Sequence, residues 1–234
     1  MTKTESNYQD FLKTIAMITM VIDHLGLYFF PEYEIMRIIG RTAMPIFCFF
    51  AGYNFHTKPK IRILVVGVLL DILTIILFKE FVTTNILIPI FLGQCYLFYF
   101  RNSLNNFFYK GYCHVVLLGT LWFCSWFLID YGTLSMAIML LGYIAKHDLA
   151  NLRLTIAISI ILSIMHTMTT FQFSSIYVFI VIIFGVLEYI FMVARNFEQK
   201  IAINLRIISH NALYIYAIHL AILQFLFFKF YLYS

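Results

Sequence analysis

Asp23 and His24 stand side by side in "IAMITMVIDHLGLYFF", residues 15–30, a run otherwise apolar enough for lipid. A charge at the bilayer centre costs about 2.5–3.5 kcal/mol on insertion scales, so such a residue has a function or a partner. Imidazole takes up and releases protons near neutral pH, so general-base work is the chemistry to weigh. Lys13 lies eleven positions before His24. That spacing returns to nearly the same helix face about three turns away, a separation of roughly 16 Å. The next apolar run, "EIMRIIGRTAMPIFCFFAGYNFHT", crosses in the opposite direction and places Arg41 about six residues in, roughly 9 Å deep and near the level of His24. Gly40 allows the two helices a close approach, and Pro45 is expected to kink the second. An Asp23–Arg41 ion pair that merely locks two helices would explain two of these three groups and leave His24 unused.

Other polar residues interrupt apolar runs. His219 lies about halfway through "SHNALYIYAIHLAIL", with Tyr216 three residues earlier on the same face. It is either a hydrogen-bonded interior histidine or part of a site. Asp71 and Glu188 can each serve an arginine as a simple partner. Asp130, in a "DYG" turn, either faces solvent or holds a cationic group. His56, Lys58, Lys60 and Arg62 cluster where the second run ends. Basic loops are the default in membrane proteins, although this one would also suit a phosphate-rich ligand.

The elements that must position these residues follow from composition. The 234 residues are 62% hydrophobic and 12% charged, with a mean hydropathy of +0.90. A soluble domain is about 45–50% apolar and about 25% charged, so this chain is expected to be an integral membrane protein. A helix needs roughly 20 apolar residues to cross a bilayer. On that basis there are about nine spans, at roughly 11–30, 35–55, 61–78, 84–100, 114–129, 132–145, 153–168, 174–194 and 210–228. The fifth and sixth are short and the least secure. Loops 56–62, 101–110, 146–153 and 195–206 are basic, whereas "PEYE", "KEFVTTN", "IDYGT" and "TMTTFQFSS" together hold one Lys and no Arg. That alternation predicts a cytoplasmic N-terminus and a C-terminus on the far side. The expected fold is all-α, a polytopic helical bundle forming one domain over 1–234. The first run is too long for a signal peptide and lacks a cleavage site, so it is expected to remain. The net charge of +5 is scattered over short loops, which argues against nucleic acid. Cys48, Cys95, Cys113 and Cys124 lack metal-ligand spacing, and no metal or disulfide is expected.

Taken together, "LKTIAMITMVIDHLG", "RIIGRTAMPIFCFFAGYNFHT", "NILIPIFLGQCYL", "DYGTLSMAIML" and "NALYIYAIHLAIL" resemble the TraX family, in order and over most of the chain. Members are inner-membrane proteins named for the pilin N-terminal acetylase of conjugative plasmids. The family is similar to a wider set of transmembrane acyltransferases with a basic residue and a His eleven positions later, usually Arg where this chain has Lys13. The resemblance implies a multi-pass protein of the bacterial inner membrane, an acyl-CoA-dependent acetyltransferase using cytosolic acetyl-CoA. The acceptor would be a pilin or peptide amine, or alternatively a hydroxyl of an envelope glycan or lipid.

In that reading His24 is the general base or an acetyl-carrying nucleophile. Asp23 diverges from it by about 100° and anchors Arg41, while Arg41 stabilises the developing oxyanion. Lys13, His56, Lys58 and Lys60 would hold the CoA phosphates. Arg37, Asp130, Tyr216 and His219 would line the substrate pocket. Membrane lipid is the surrounding partner, and an oligomer is compatible with the reading. Two other classes remain open: a proton-coupled secondary transporter using Asp23, His24 and Arg41, and a non-catalytic assembly factor.

Overall fold

The first helix starts where its backbone can be capped. Asn7 Oδ1 accepts from the Asp10 N–H (3.0 Å), and Asp10 Oδ2 accepts from the Asn7 N–H (3.2 Å). This reciprocal capping box satisfies two N–H groups that a helix start leaves over. It launches α1 (Tyr8–Phe29). The computed structural model describes residues 6–79, 84–106, 108–125, 131–147, 197 and 199–232, with isolated positions between 157 and 185. After α1 come α2 (Glu34–Gly40), α3 (Ala43–Tyr53), α4 (Ile61–Phe78), α5 (Leu87–Asn106), α6 (Phe108–Ser125), α7 (Leu134–Lys146), α8 (Arg206–His210) and α9 (Ala212–Leu232). Two short strands, β1 (Ser6–Asn7) and β2 (Lys200–Ile201), pair antiparallel with Ser6 opposite Ile201. The protein is mostly helical.

Among the described residues, four helices are long and apolar enough to cross a membrane: Tyr8–Phe29, Glu34–Tyr53, Ile61–Phe78 and Ala212–Phe230. The second of these is α2 and α3 together. The expected kink at Pro45 is a break instead, and it falls at Arg41–Thr42. Pro45 is the third residue of α3, where its missing N–H costs little, but its ring would collide with the carbonyl four residues earlier, that of Arg41. The chain turns there with 3₁₀ geometry, the Thr42 N–H reaching Ile39 O at 3.3 Å. Of the expected span at 153–168 seven positions between 157 and 165 are described, all helical, and of that at 174–194 only 185.

The backbone groups into two compact units. One comprises Met1–Phe47, Leu69–Val82 and Asn196–Ser234, the other Cys48–Val68 and Thr83–Arg195. In the first, α1 supplies Ala16, Met17 and Met20 to the core and α9 supplies Tyr216, Leu220 and Leu223. In the second, α7 is the core. Leu134, Ile138, Met139, Leu140, Leu141 and Ile144 are all at most 1% exposed. The run at 132–145 was expected to span, yet thirteen helical residues extend only about 20 Å. An apolar helix that short is favoured as a buried core element, and α7 is one.

Glycines set how closely α7 is approached. A Cβ on Gly142 would strike the carbonyl of Phe49, and one on Gly52 the carbonyl of Met139. A Cβ on Gly119 would meet nothing closer than Met165 Sδ at 3.8 Å. Gly142→Ala is therefore expected to lower stability by about 1–3 kcal/mol, the usual cost of overpacking. Gly119→Ala, with the same gain in helix propensity, should be neutral or stabilising. Thermal melting in detergent, followed by helical circular dichroism, separates the two. Equal melting temperatures would mean that the α3–α7 approach does not hold the unit.

Candidate functional site

The site lies in the first unit, and glycine again makes the space. A Cβ on Gly40 would fall on Asp23, and one on Gly26 would lie 2.8 Å from Met36 Cβ and 3.6 Å from Arg37 Cδ. Helices α1 and α2 thus meet almost backbone to backbone, with the Arg37 stem laid over Gly26. Arg37 Nη1 lies 2.9 Å from Asp23 Oδ2 and also donates to the Asp23 carbonyl at 3.1 Å. Arg41 Nε is 3.8 Å from Asp23 Oδ1. Asp23, only 8% exposed, is therefore paired foremost with Arg37 and more distantly with Arg41. The expected Asp23–Arg41 pair is the longer of the two.

Adjacent helical side chains diverge, and His24 points elsewhere. His24 Nδ1 lies 2.8 Å from His219 Nε2 of α9, and His219 Nδ1 lies 3.0 Å from the carbonyl of Ile215. The carbonyl can only accept, so a neutral His219 carries its proton on Nδ1 and presents a bare Nε2. His24 must then donate from Nδ1, which leaves the lone pair of a neutral His24 on Nε2. No other hydrogen bond engages His24 among the described residues. Tyr216 completes the group, its ring centroid 6.1 Å from that of His24 and 5.6 Å from that of His219. The arrangement is a base whose tautomer is set by a second imidazole, beside a carboxylate with two guanidinium groups.

The remaining candidates are dispersed. Lys13 Nζ donates to Gln9 Oε1 at 3.2 Å on the same helix as His24. His56, Lys58 and Lys60 are exposed in the second unit, where the Lys60 N–H donates to the buried Gln94 Oε1 at 2.8 Å. Asp71 is half-buried on α4. Asp130 and Glu188 lie outside the described residues. Among the described residues no group of three His, Cys, Asp or Glu could hold a metal ion.

Two clusters were not expected from the sequence. At the start of α1, Asp10 Oδ1 accepts from Ser209 Oγ, and Ser6 Oγ accepts from the Leu205 N–H at 2.7 Å. One turn beyond His24, Gln224 Nε2 donates to Thr74 Oγ1 at 2.9 Å and to the Tyr28 hydroxyl at 3.3 Å. The available signal for the second was a lone amide inside an apolar run, "HLAILQFLFF".

Comparison with known proteins agrees with the extent of this site. The family model "TraX protein" matches residues 8–227. Uncharacterized protein RP591 of Rickettsia prowazekii (strain Madrid E) is 54% identical over 240 residues, covering 99% of this chain and 97% of that protein. Protein TraX of Escherichia coli is 39% identical over 54 residues, 23% of this chain and 22% of its own length. Probable fimbrial assembly protein FimC, serogroup H1, of Dichelobacter nodosus is 39% identical over 67 residues, 25% of this chain and 28% of that one. No solved structure matches. The family match runs from the first turn of α1 to beyond His219 and so includes both histidines: this membrane protein belongs to the TraX family.

Proposed function

We propose that the protein is an acetyltransferase of the bacterial inner membrane, moving an acetyl group from cytosolic acetyl-CoA to the N-terminal amine of a pilin or other peptide. The observation that carries this reading is the His24–His219 pair, which leaves a lone pair on His24 Nε2. In the reaction the acceptor nitrogen attacks the thioester carbonyl carbon and His24 Nε2 takes the amine proton. The C–S bond then breaks, and the proton held on His24 Nε2 passes to the departing CoA thiolate, which returns His24 to its neutral form. As His24 becomes cationic, its Nδ1–H bond to His219 stabilises the charge. Arg37 and Arg41 supply positive charge for the oxyanion that forms on the way. His56, Lys58 and Lys60 have the chemistry to hold CoA phosphates, as does Lys13. The printed names of two relatives, TraX and a probable fimbrial assembly protein, support a role tied to pilus or fimbrial subunits. About nine spans and a cytosolic N-terminus belong to the same proposal, on the basic loops.

The test uses purified protein in detergent with acetyl-CoA labelled in the acetyl group. Expected are release of CoA and label on a peptide amine. If neither appears with any peptide or envelope extract, the proposal fails; label on a glycan or lipid hydroxyl alone would replace the amine acceptor. His219 gives a second prediction. His219→Ala should lower kcat at least about tenfold, a loss of about 1.4 kcal/mol in transition-state stabilisation. His219→Gln should recover most of it, because a glutamine oxygen can accept from His24 Nδ1–H, with KM for acetyl-CoA unchanged in both. Nitrogen chemical shifts of His24 should report the Nδ1–H tautomer in wild type and His219→Gln, and a mixture in His219→Ala. Equal activity of all three proteins would remove His219 from the mechanism.

A further inference from the structure

In the second unit, the end of α7 brings together two basic segments that lie far apart in the sequence. Lys146 is the last residue of the helix, and the His147 N–H closes it on the Ile144 carbonyl at 3.3 Å. Aromatic rings hold both side chains. The Lys146 ammonium sits 4.6 Å from the centre of the Tyr53 ring at the end of α3. The His147 imidazole lies 4.4 Å, centroid to centroid, from the ring of the buried Tyr143. His56, just beyond Tyr53, is near enough for its charge to act on His147. Partial burial foremost, then the charges of Lys146 and His56, hold the His147 pKa below the usual imidazole range. Lys58 and Lys60 follow within four residues of His56, at most about 14 Å of chain. The Lys60 N–H on Gln94 Oε1 pins that loop to α5. His56, Lys58, Lys60 and His147 are exposed, so the cluster is open to a ligand.

The cluster is short of negative charge. The described residues of the second unit contain no Asp or Glu; Asp130, Asp148 (next to His147 in sequence) and Glu188 lie outside them. The C-terminal ends of α3 and α7 each carry about half a negative charge. Together they offset about one of the three ammonium groups of Lys58, Lys60 and Lys146. Basic loops on one side of a membrane follow from insertion, but their meeting at one spot does not.

We propose that Lys146 and His147 join His56, Lys58 and Lys60 in one phosphate-binding site at the end of α7. Phosphate oxygens accept strongly from ammonium and imidazole N–H groups, and the ring contacts of Lys146 and His147 set two of these donors in place beforehand. A phosphate ester from water and the headgroup of an anionic lipid both carry this chemistry. On the acetyl-transfer reading the ester is CoA, and only that identification rests on it.

The test is isothermal titration calorimetry of the full chain in neutral detergent with CoA, inorganic pyrophosphate and dihexanoyl phosphatidylglycerol. The double variant Lys146→Gln/His147→Gln should raise Kd at least about tenfold for whichever probes bind. Lys229→Gln, which removes a positive charge from the last turn of α9, should leave Kd unchanged. Nitrogen chemical shifts of His147 should show its pKa rising when a probe is bound, because a nearby anion favours the imidazolium. CoA or pyrophosphate binding that the double variant weakens assigns the site to a soluble ester. The same result with phosphatidylglycerol alone assigns it to lipid. Either outcome upholds the site even if no acetyl transfer is found. No binding of any probe, or binding that the double variant leaves unchanged or that Lys229→Gln weakens equally, overturns it even if transfer is robust. Should the double variant lose its helical circular dichroism, Lys58→Gln/Lys60→Gln in the exposed loop decides by the same criterion.

Discussion

His24→Ala is expected to lower acetyl transfer by about 10²–10⁴-fold, the range that general acid–base catalysis contributes. The loss should fall on kcat, with KM for acetyl-CoA nearly constant, because among the described residues the hydrogen bond of His24 is its link to His219. The protein should remain folded. The imidazole is half-buried, and its removal leaves His219 still bonded to the Ile215 carbonyl. His24→Gln is the sharper comparison, since glutamine can preserve a polar contact with His219 but cannot accept a proton near neutral pH. If either variant retains wild-type turnover, His24 is not the base, whatever the reaction proves to be. If turnover falls and a pre-formed thiolate acceptor restores it, the role as proton acceptor is supported directly.

Asp23→Leu is expected to cost about 3–5 kcal/mol of stability, the penalty for removing one member of a buried charged pair. Its carboxylate lies within 2.9 Å of Arg37 and 3.8 Å of Arg41. Without it, two guanidinium groups share a nearly buried place inside a membrane helix pair. The double variant Asp23→Leu/Arg37→Met should recover part of the loss, so that the two changes are not additive. The measurement is unfolding in detergent with increasing denaturant, followed by helical circular dichroism, with both single variants completing the cycle. Additive losses would mean that Asp23 and Arg37 do not depend on each other. A midpoint for Asp23→Leu equal to that of wild type would show that the pair contributes nothing to holding α1 on α2.

Much of the site could be read from residue types. Asp23, His24 and the arginines stand out because charge in an apolar run is expensive, and that penalty applies wherever the chain folds. The divergence of Asp23 from His24 follows from helix geometry alone. The preference of Asp23 for Arg37 could not be read, because it depends on the space that Gly26 leaves for the Arg37 stem. The family resemblance set His219 in the pocket opposite His24, but periodicity alone does not give their direct contact. Helix periodicity places each on a face, but 195 residues separate them and only packing decides which faces meet. Gln224 drew no notice because an uncharged amide carries a smaller insertion penalty than Asp or Arg. Composition marks 132–145 as an apolar run, while the burial of α7 depends on which helices pack around it.

The tie between the first and last described helices bears on how the molecule is made. β1 pairs with β2, Asp10 with Ser209 and His24 with His219, the last two across 199 and 195 residues. By contrast, Asp23 and Arg37 are fourteen residues apart. As the ribosome delivers the chain, the carboxylate can be neutralised within one helical hairpin, so α1 can settle in lipid early. The imidazole pair has to wait for α9, so it stays incomplete until that helix has been made. A nascent chain arrested before Leu205 should be inserted and stable at its leading end, yet chemically silent.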